Sequence, residues 1–203
     1  MADYVTDITA LEALYGEPGE ASLRKVANQM TPLYRDWIAH SRFCVISTVG
    51  PDGTDGSPRG DEGPVVRELD EHTLAMPDWR GNNRMDTLRN IVSDGRISLM
   101  FMVAGSDTIV RVNGEARVSV AAELCEQFAN DKGRLPRSVI VIKIAEIYTQ
   151  CARAPMRAGL WTDGDQSEGL PTAGDILAEQ TAGEVGGKAY DAEWLPRAKK
   201  TMW

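Results

Sequence analysis

The residues with the densest chemical potential fall in Pro77-Asp78-Trp79-Arg80-Gly81-Asn82-Asn83-Arg84-Met85-Asp86. Two arginines, two asparagines and a glycine stand there between a strand-like run and a helix-like run, which is the composition an anion site needs. Backbone N–H groups at a helix start point outward, the helix dipole adds about half a positive charge, and guanidinium forks meet phosphate oxygens two at a time. The same residues also make an ordinary helix start, with Asn82 or Asn83 as the cap and both arginines in solvent. A second stretch, Ser57-Pro58-Arg59-Gly60-Asp61-Glu62-Gly63, places Arg59 among residues of little bulk. It either adds a cation to the same anion site or forms an exposed loop with a weak Arg-Asp pair. In Asp107-Thr108-Ile109-Val110-Arg111-Val112-Asn113-Gly114, alternation puts Arg111 on a half-buried strand. Asn113-Gly114 there reads either as a hairpin turn or as a bulge that re-aims a side chain. Finally, Tyr148 to Trp161 brings Cys151, Arg153, Arg157 and Trp161 after the most apolar run. An aromatic flanked by cations suits a planar anionic ligand, and it equally suits a core or interface anchor.

Several chemistries are excluded. There is no GxSxG, HExxH or GxGxxG, and Gly183 to Ala189 lacks both the first glycine and the hydroxyl residue of a phosphate loop. Only His40 and His72 are present, and Cys44, Cys125 and Cys151 form no CxxC pair, so neither a metal site nor a disulfide framework is expected. The net charge of -8 argues against sequence-independent nucleic-acid binding, which needs clustered Lys and Arg. No apolar run reaches membrane-spanning length, the start of the chain does not resemble a signal peptide, and unpaired thiols fit a cytoplasmic protein.

The elements that must position these residues divide the chain in three. Residues 1–41 read as helical: Ile8, Leu11 and Leu14 have helical spacing, Gly16 and Pro18 interrupt it, Leu23, Val26 and Met30 begin another run, and Pro32 opens a third helix with Leu33, Trp37 and Ile38. From 42 to 161 short β-rich runs dominate, beginning with Phe43 to Thr48 and the turn Gly50-Pro51-Asp52-Gly53, a hairpin signal. Further strands are expected at 65–69, 73–76, 97–103, 108–112, 116–120 and 139–144, with helices at 83–92 and 121–129. Strands following one another with few helices between them favour an antiparallel barrel or sandwich. Residues 162–203 read as a tail with one short helix at 174–179, a lid over a site or an arm on a partner subunit. Cys125, within a helical pattern, reads as a buried small hydrophobe.

Together, in this order, "FCVISTVGPDGTDGSPRGD", "PDWRGNNRMDTLRNI", "TIVRVNGEARV" and "CARAPMRAGLW" resemble the pyridoxamine 5'-phosphate oxidase-like flavin-binding family over roughly residues 30 to 161. The resemblance implies a mainly β fold, a six-stranded antiparallel split β-barrel of Greek-key type, and a homodimer with FMN in a groove made by both subunits. It assigns the FMN phosphate to Arg80, Asn83 and Arg84, with Asp78 at the head of the same junction and Arg59 assisting. Ser57 and Gly60 then lie beside the isoalloxazine ring, and Arg111 lines the pyrimidine edge of the flavin. Arg157 and Trp161 match a segment brought close to the cofactor, supplied by the other subunit. True pyridoxamine phosphate oxidases carry an Arg-x-His pair near the C-terminus, and haem-degrading relatives also rely on a histidine there. Both histidines here precede residue 73, which argues against vitamin B6 oxidation and against that branch. The expected function is that of an FMN-dependent oxidoreductase acting on a small molecule, with a nicotinamide as a possible electron donor and no catalytic acid, base or nucleophile assigned. The alternatives are a non-catalytic flavin-binding or sensor protein and a reductase using the deazaflavin F420.

Overall fold

The turn Gly50-Pro51-Asp52-Gly53 does what its residues dictate: proline presets the backbone, and Gly53 takes φ 120° to reverse the chain. Around it Phe43–Gly50 (β1) and Gly53–Gly60 (β2) pair antiparallel, with Gly50 opposite Gly53 and Phe43 opposite Gly60. The computed structural model describes residues 4–202. The remaining strands are Arg67–Asp70 (β3), Thr73–Asp78 (β4), Arg96–Met102 (β5), Ile109–Ser119 (β6) and Ser138–Gln150 (β7). The helices are Ile8–Tyr15 (α1), Glu20–Arg24 (α2), Pro32–Ala39 (α3), Asp86–Ser93 (α4), Ala122–Glu126 (α5), Arg153–Arg157 (α6), Ala173–Gln180 (α7) and Gly187–Thr201 (α8).

All strand pairs are antiparallel, in the order β2-β1-β5-β6-β7-β4-β3. β5, β6 and β7 form a meander, and β4, which precedes them in the chain, returns against the far side of β7. That is Greek-key connectivity. Alternation along the strands supplies the core: Cys44, Ile46, Leu99, Phe101, Val110, Val112, Ile140, Ile142 and Ile147 are all buried. α4 lies across β1, β2 and β6, tied by Asn90 Nδ2 donating to Thr48 Oγ1 at 3.1 Å. It packs closely over the hairpin, since a Cβ at Gly50 would stand 2.2 Å from Asn90 Oδ1.

The structure departs from the sequence expectations at several places. Among the described residues the sheet has seven strands, one more than the six that the family resemblance implies. Val65 and Val66, expected to open a strand, are buried in the core just ahead of it. The helix expected at 83–92 begins only at Asp86, because Asn83 and Met85 take positive φ of 62° and 61°, outside the helical region. The two strands expected at 108–112 and 116–120 are one, β6, and Asn113-Gly114 is no hairpin turn. Asn113 pairs with Glu146 and Gly114 with Ile144, so Ala145 is an extra residue in β7, a bulge. Past that bulge the buried positions of β7 shift phase, from Ile140, Ile142 and Ile144 to Ile147. The helix expected at 121–129 spans only Ala122–Glu126, and Cys125 on it is buried against Phe128. In the 162–203 segment the short helix is present as α7, and a second, longer helix, α8, follows it. Among the described residues no helix is long and apolar enough to cross a membrane.

Candidate functional site

A cleft of about 900 Å³ opens where the edge strand β2 stands away from the end of β4 and the start of α4. Its shape follows from register. Asp55, Ser57 and Arg59 lie opposite Thr48, Ile46 and Cys44, whose side chains fill the core, so the three residues of β2 share that inward face where the sheet has run out of partners. The far wall is Pro77, Asp78 and the turn from Trp79 to Met85, with Met76, Leu88 and Val118 adding apolar surface. The cleft therefore gathers Ser57, Arg59, Gly60, Asp78, Arg80, Asn83 and Arg84 of the residues singled out in the sequence.

The turn gathers cationic side chains at the start of α4. Asn83 and Met85 take positive φ, so the turn passes twice through the left-handed region before α4 begins. Met85 precedes α4 without any side-chain cap, which leaves the first N–H groups of the helix for another acceptor. Asn82 does not cap the helix; its Oδ1 accepts instead from Arg84 N at 3.1 Å. Arg84 Nε donates to Asp86 Oδ2 at 3.0 Å, while Arg80 is exposed and makes no hydrogen bond or ion pair among the described residues. Across the cleft Arg59 Nη1 donates to Ser57 Oγ at 2.5 Å and to Pro58 O at 3.0 Å.

The acids of the cleft are mostly engaged. Asp55 Oδ2 accepts from Thr87 Oγ1 at 2.5 Å, pinning α4 to β2, and Asp61 Oδ2 accepts from Trp79 Nε1 at 2.9 Å. Asp78 is the exception, accepting no hydrogen bond from any described residue. Burial raises its pKa above the ordinary carboxylate value, against the pull of the Arg59 and Arg137 guanidiniums. Beneath Arg59, burial pushes the Cys44 thiol up to about 12, only partly opposed by that arginine.

Three sequence-selected residues stand outside the cleft of their own chain. Arg111 stacks 5.5 Å from the Tyr148 ring and donates from Nη2 to Ser98 Oγ at 3.5 Å. Trp161 donates from Nε1 to Ser106 O at 2.9 Å, and Arg157 is exposed at the end of α6. Conversely, the cleft includes Asp55, Thr87 and Arg137, which sequence reasoning passed over. Arg137 Nη1 donates to Asn83 Oδ1 at 3.1 Å. Its signal would have been the pairing of Asp78 with Ser138, which brings the start of β7 beside the turn.

An antiparallel split barrel with a cationic strand-to-helix junction defines a class, and comparison gives it a family. The pyridoxamine 5'-phosphate oxidase model matches residues 30–151, more than half of the chain, and the protein belongs to that family. Among solved structures, HupZ of Group A Streptococcus is 20% identical over 59% of this chain and 93% of its own, with a TM-score of 0.50, a likeness of fold. A Lactobacillus delbrueckii protein assigned provisionally to pyridoxamine 5'-phosphate oxidase is 19% identical over 60% of this chain and 95% of its own (TM-score 0.47). An FMN-binding protein from Syntrophomonas wolfei is 16% identical over 58% and 83%, respectively (TM-score 0.45). Comparison with curated proteins found no match.

Proposed function

We propose that this protein binds FMN in the cleft between β2 and α4 and works as a homodimeric, FMN-dependent oxidoreductase on a small molecule. The observation that carries this reading is the Arg80–Arg84 turn: an uncapped helix start and two guanidiniums on one side of a cleft whose other wall is Ser57, Arg59 and Gly60. The residues present fit a phosphorylated flavin. A phosphomonoester suits the turn, and a flat ring suits a wall with Met76, Leu88 and Val118 beside polar groups. Family membership supports the same cofactor.

In this reading Arg80, Asn83 and Arg84 hold the phosphate, Asp78 borders the same junction, and Ser57, Arg59 and Gly60 lie along the ring. Arg111, Arg157 and Trp161 stand outside the cleft of their own chain, so the reading gives them to the partner's cofactor. Bound FMN would supply the redox chemistry, and the protein's part is to position it, tune it and limit water access. A guanidinium near the pyrimidine edge, the role given to Arg111, would favour a reduced, anionic ring.

The test is the visible spectrum of the purified protein, with mass spectrometry of any released ligand. Oxidised-flavin absorbance with FMN released is the expected result; colourless protein that fails to take up added FMN would refute the reading. Reduction of bound FMN by NADH or NADPH, followed under air and under argon, then tests turnover, and sedimentation equilibrium tests the dimer.

A further inference from the structure

Arg137 is not among the residues to which the flavin reading gives a role. It stands immediately before β7, 54 positions from Asn83 in sequence, yet its guanidinium donates to Asn83 Oδ1 at 3.1 Å. Asn83 is one of the two non-glycine residues that give the turn its left-handed steps, a conformation that persists where surrounding structure holds it. A guanidinium carries five N–H donors, and among the described residues Arg137 makes no other hydrogen bond or ion pair. It is exposed and lines the cleft together with Arg80 and Arg84. Its charge also acts on Asp78 at the end of β4, the carboxylate of the cleft that accepts no hydrogen bond. It forms no ion pair with that carboxylate, so four of its five N–H donors are left without a partner among the described residues.

We propose that Arg137 makes the cleft prefer a phosphorylated ligand to the same ligand without its phosphate, bracing Asn83 with one N–H and reaching a phosphomonoester with others. The proposal rests on the flavin reading and adds a specificity-determining residue from a separate strand. Three cations then converge on one anion from two elements: Arg80 and Arg84 from the turn, Arg137 from the start of β7.

FMN and riboflavin differ by the phosphate alone and so read this role directly. Apo-protein of the wild type and of Arg137→Met, which keeps an apolar stem, is titrated with each flavin. Loss of a charge-assisted hydrogen bond should weaken FMN binding by about tenfold to a hundredfold and leave riboflavin binding unchanged. Arg137→Lys should recover part of the FMN affinity, because it restores the charge without the fork. Asn83→Ala, which frees Arg137 from its anchor, should lower the FMN-to-riboflavin preference by a smaller factor. An equal loss of both flavins in Arg137→Met would make the residue a structural brace, and no change in either would remove it from the site; each result overturns the proposal. A wild type that binds FMN in preference to riboflavin, with the preference intact in Arg137→Met, sinks this proposal alone. A wild type that binds neither flavin sinks the flavin reading and this proposal with it.

Discussion

Replacing Arg84 with alanine should separate ligand recognition from folding. The Arg84–Asp86 pair, 3.0 Å long, lies in water, with side chains 77% and 46% exposed. Exposed pairs contribute about 0.2–1 kcal/mol, so the melting temperature should fall by no more than about 2–4 °C in a chain of this size. A guanidinium bound to phosphate contributes about 1.5–3 kcal/mol, which converts to a roughly tenfold to 150-fold loss of FMN affinity. The variant also leaves the Asp86 carboxylate, which lines the cleft in the first turn of α4, without its cation, and repulsion of a bound phosphate would place the loss toward the upper end of that range. Adding Asp86→Asn to Arg84→Ala should therefore recover part of the affinity. The assay is titration of apo-protein with FMN, followed by flavin fluorescence, beside a thermal melt of each variant. An unchanged Kd for Arg84→Ala would place the phosphate elsewhere, and a melting shift far larger than that of an exposed pair would show that Arg84 serves the fold.

Gly114→Ala should destabilise the protein by about 1–3 kcal/mol, because a Cβ there would lie 1.9 Å from Lys143 O across the bulge; an unshifted urea midpoint would contradict the bulge geometry. Asp78 has a raised pKa in the folded chain, so its contribution to stability is complete below the ordinary carboxylate range and is lost as pH rises through the folded value. Asp78→Asn should accordingly melt higher than the wild type at neutral pH, with the gap closing in acid; a gap independent of pH would show that this carboxyl is not the cause. At neutral pH iodoacetamide should label exposed Cys151 and spare buried Cys125 and Cys44, whose thiol sits at about 12, until the protein unfolds; peptide mass spectrometry of native samples reads this, and early Cys44 labelling would be contrary.

What the sequence disclosed was local. Gly50-Pro51-Asp52-Gly53 specifies its hairpin through φ preferences alone, and Thr31-Pro32 specifies the start of α3, with Thr31 Oγ1 accepting from Tyr34 N. The Asn113-Gly114 pair misleads for the same reason: its intrinsic turn preference yields to a ladder with β5 on one side and β7 on the other, and glycine is there to clear Lys143 O. α8 was not foreseen because Pro196 interrupts its pattern and none of its residues is buried, so no apolar stripe marks it. The arginines of the junction were legible because they stand together in the chain. Arg137 was not, since only the pairing of β4 with β7 brings it to Asn83.

The wall of the cleft contributed by β2 is also a border of the sheet, and a border invites another chain to add itself as a further strand. Such an addition would crowd the opening and seed aggregates. Gly53–Gly60 is poorly suited to accept one: Pro58 has no N–H to offer, Gly56 lends no β preference, and Asp55 adds a charge. At the opposite border β3 is only four residues long, bears Arg67, Glu68 and Asp70, and has an irregular register between Glu68 and Asp70. Solubility and an accessible cleft thus depend on the same residues, and variants of β2 enriched in valine or isoleucine would endanger both together.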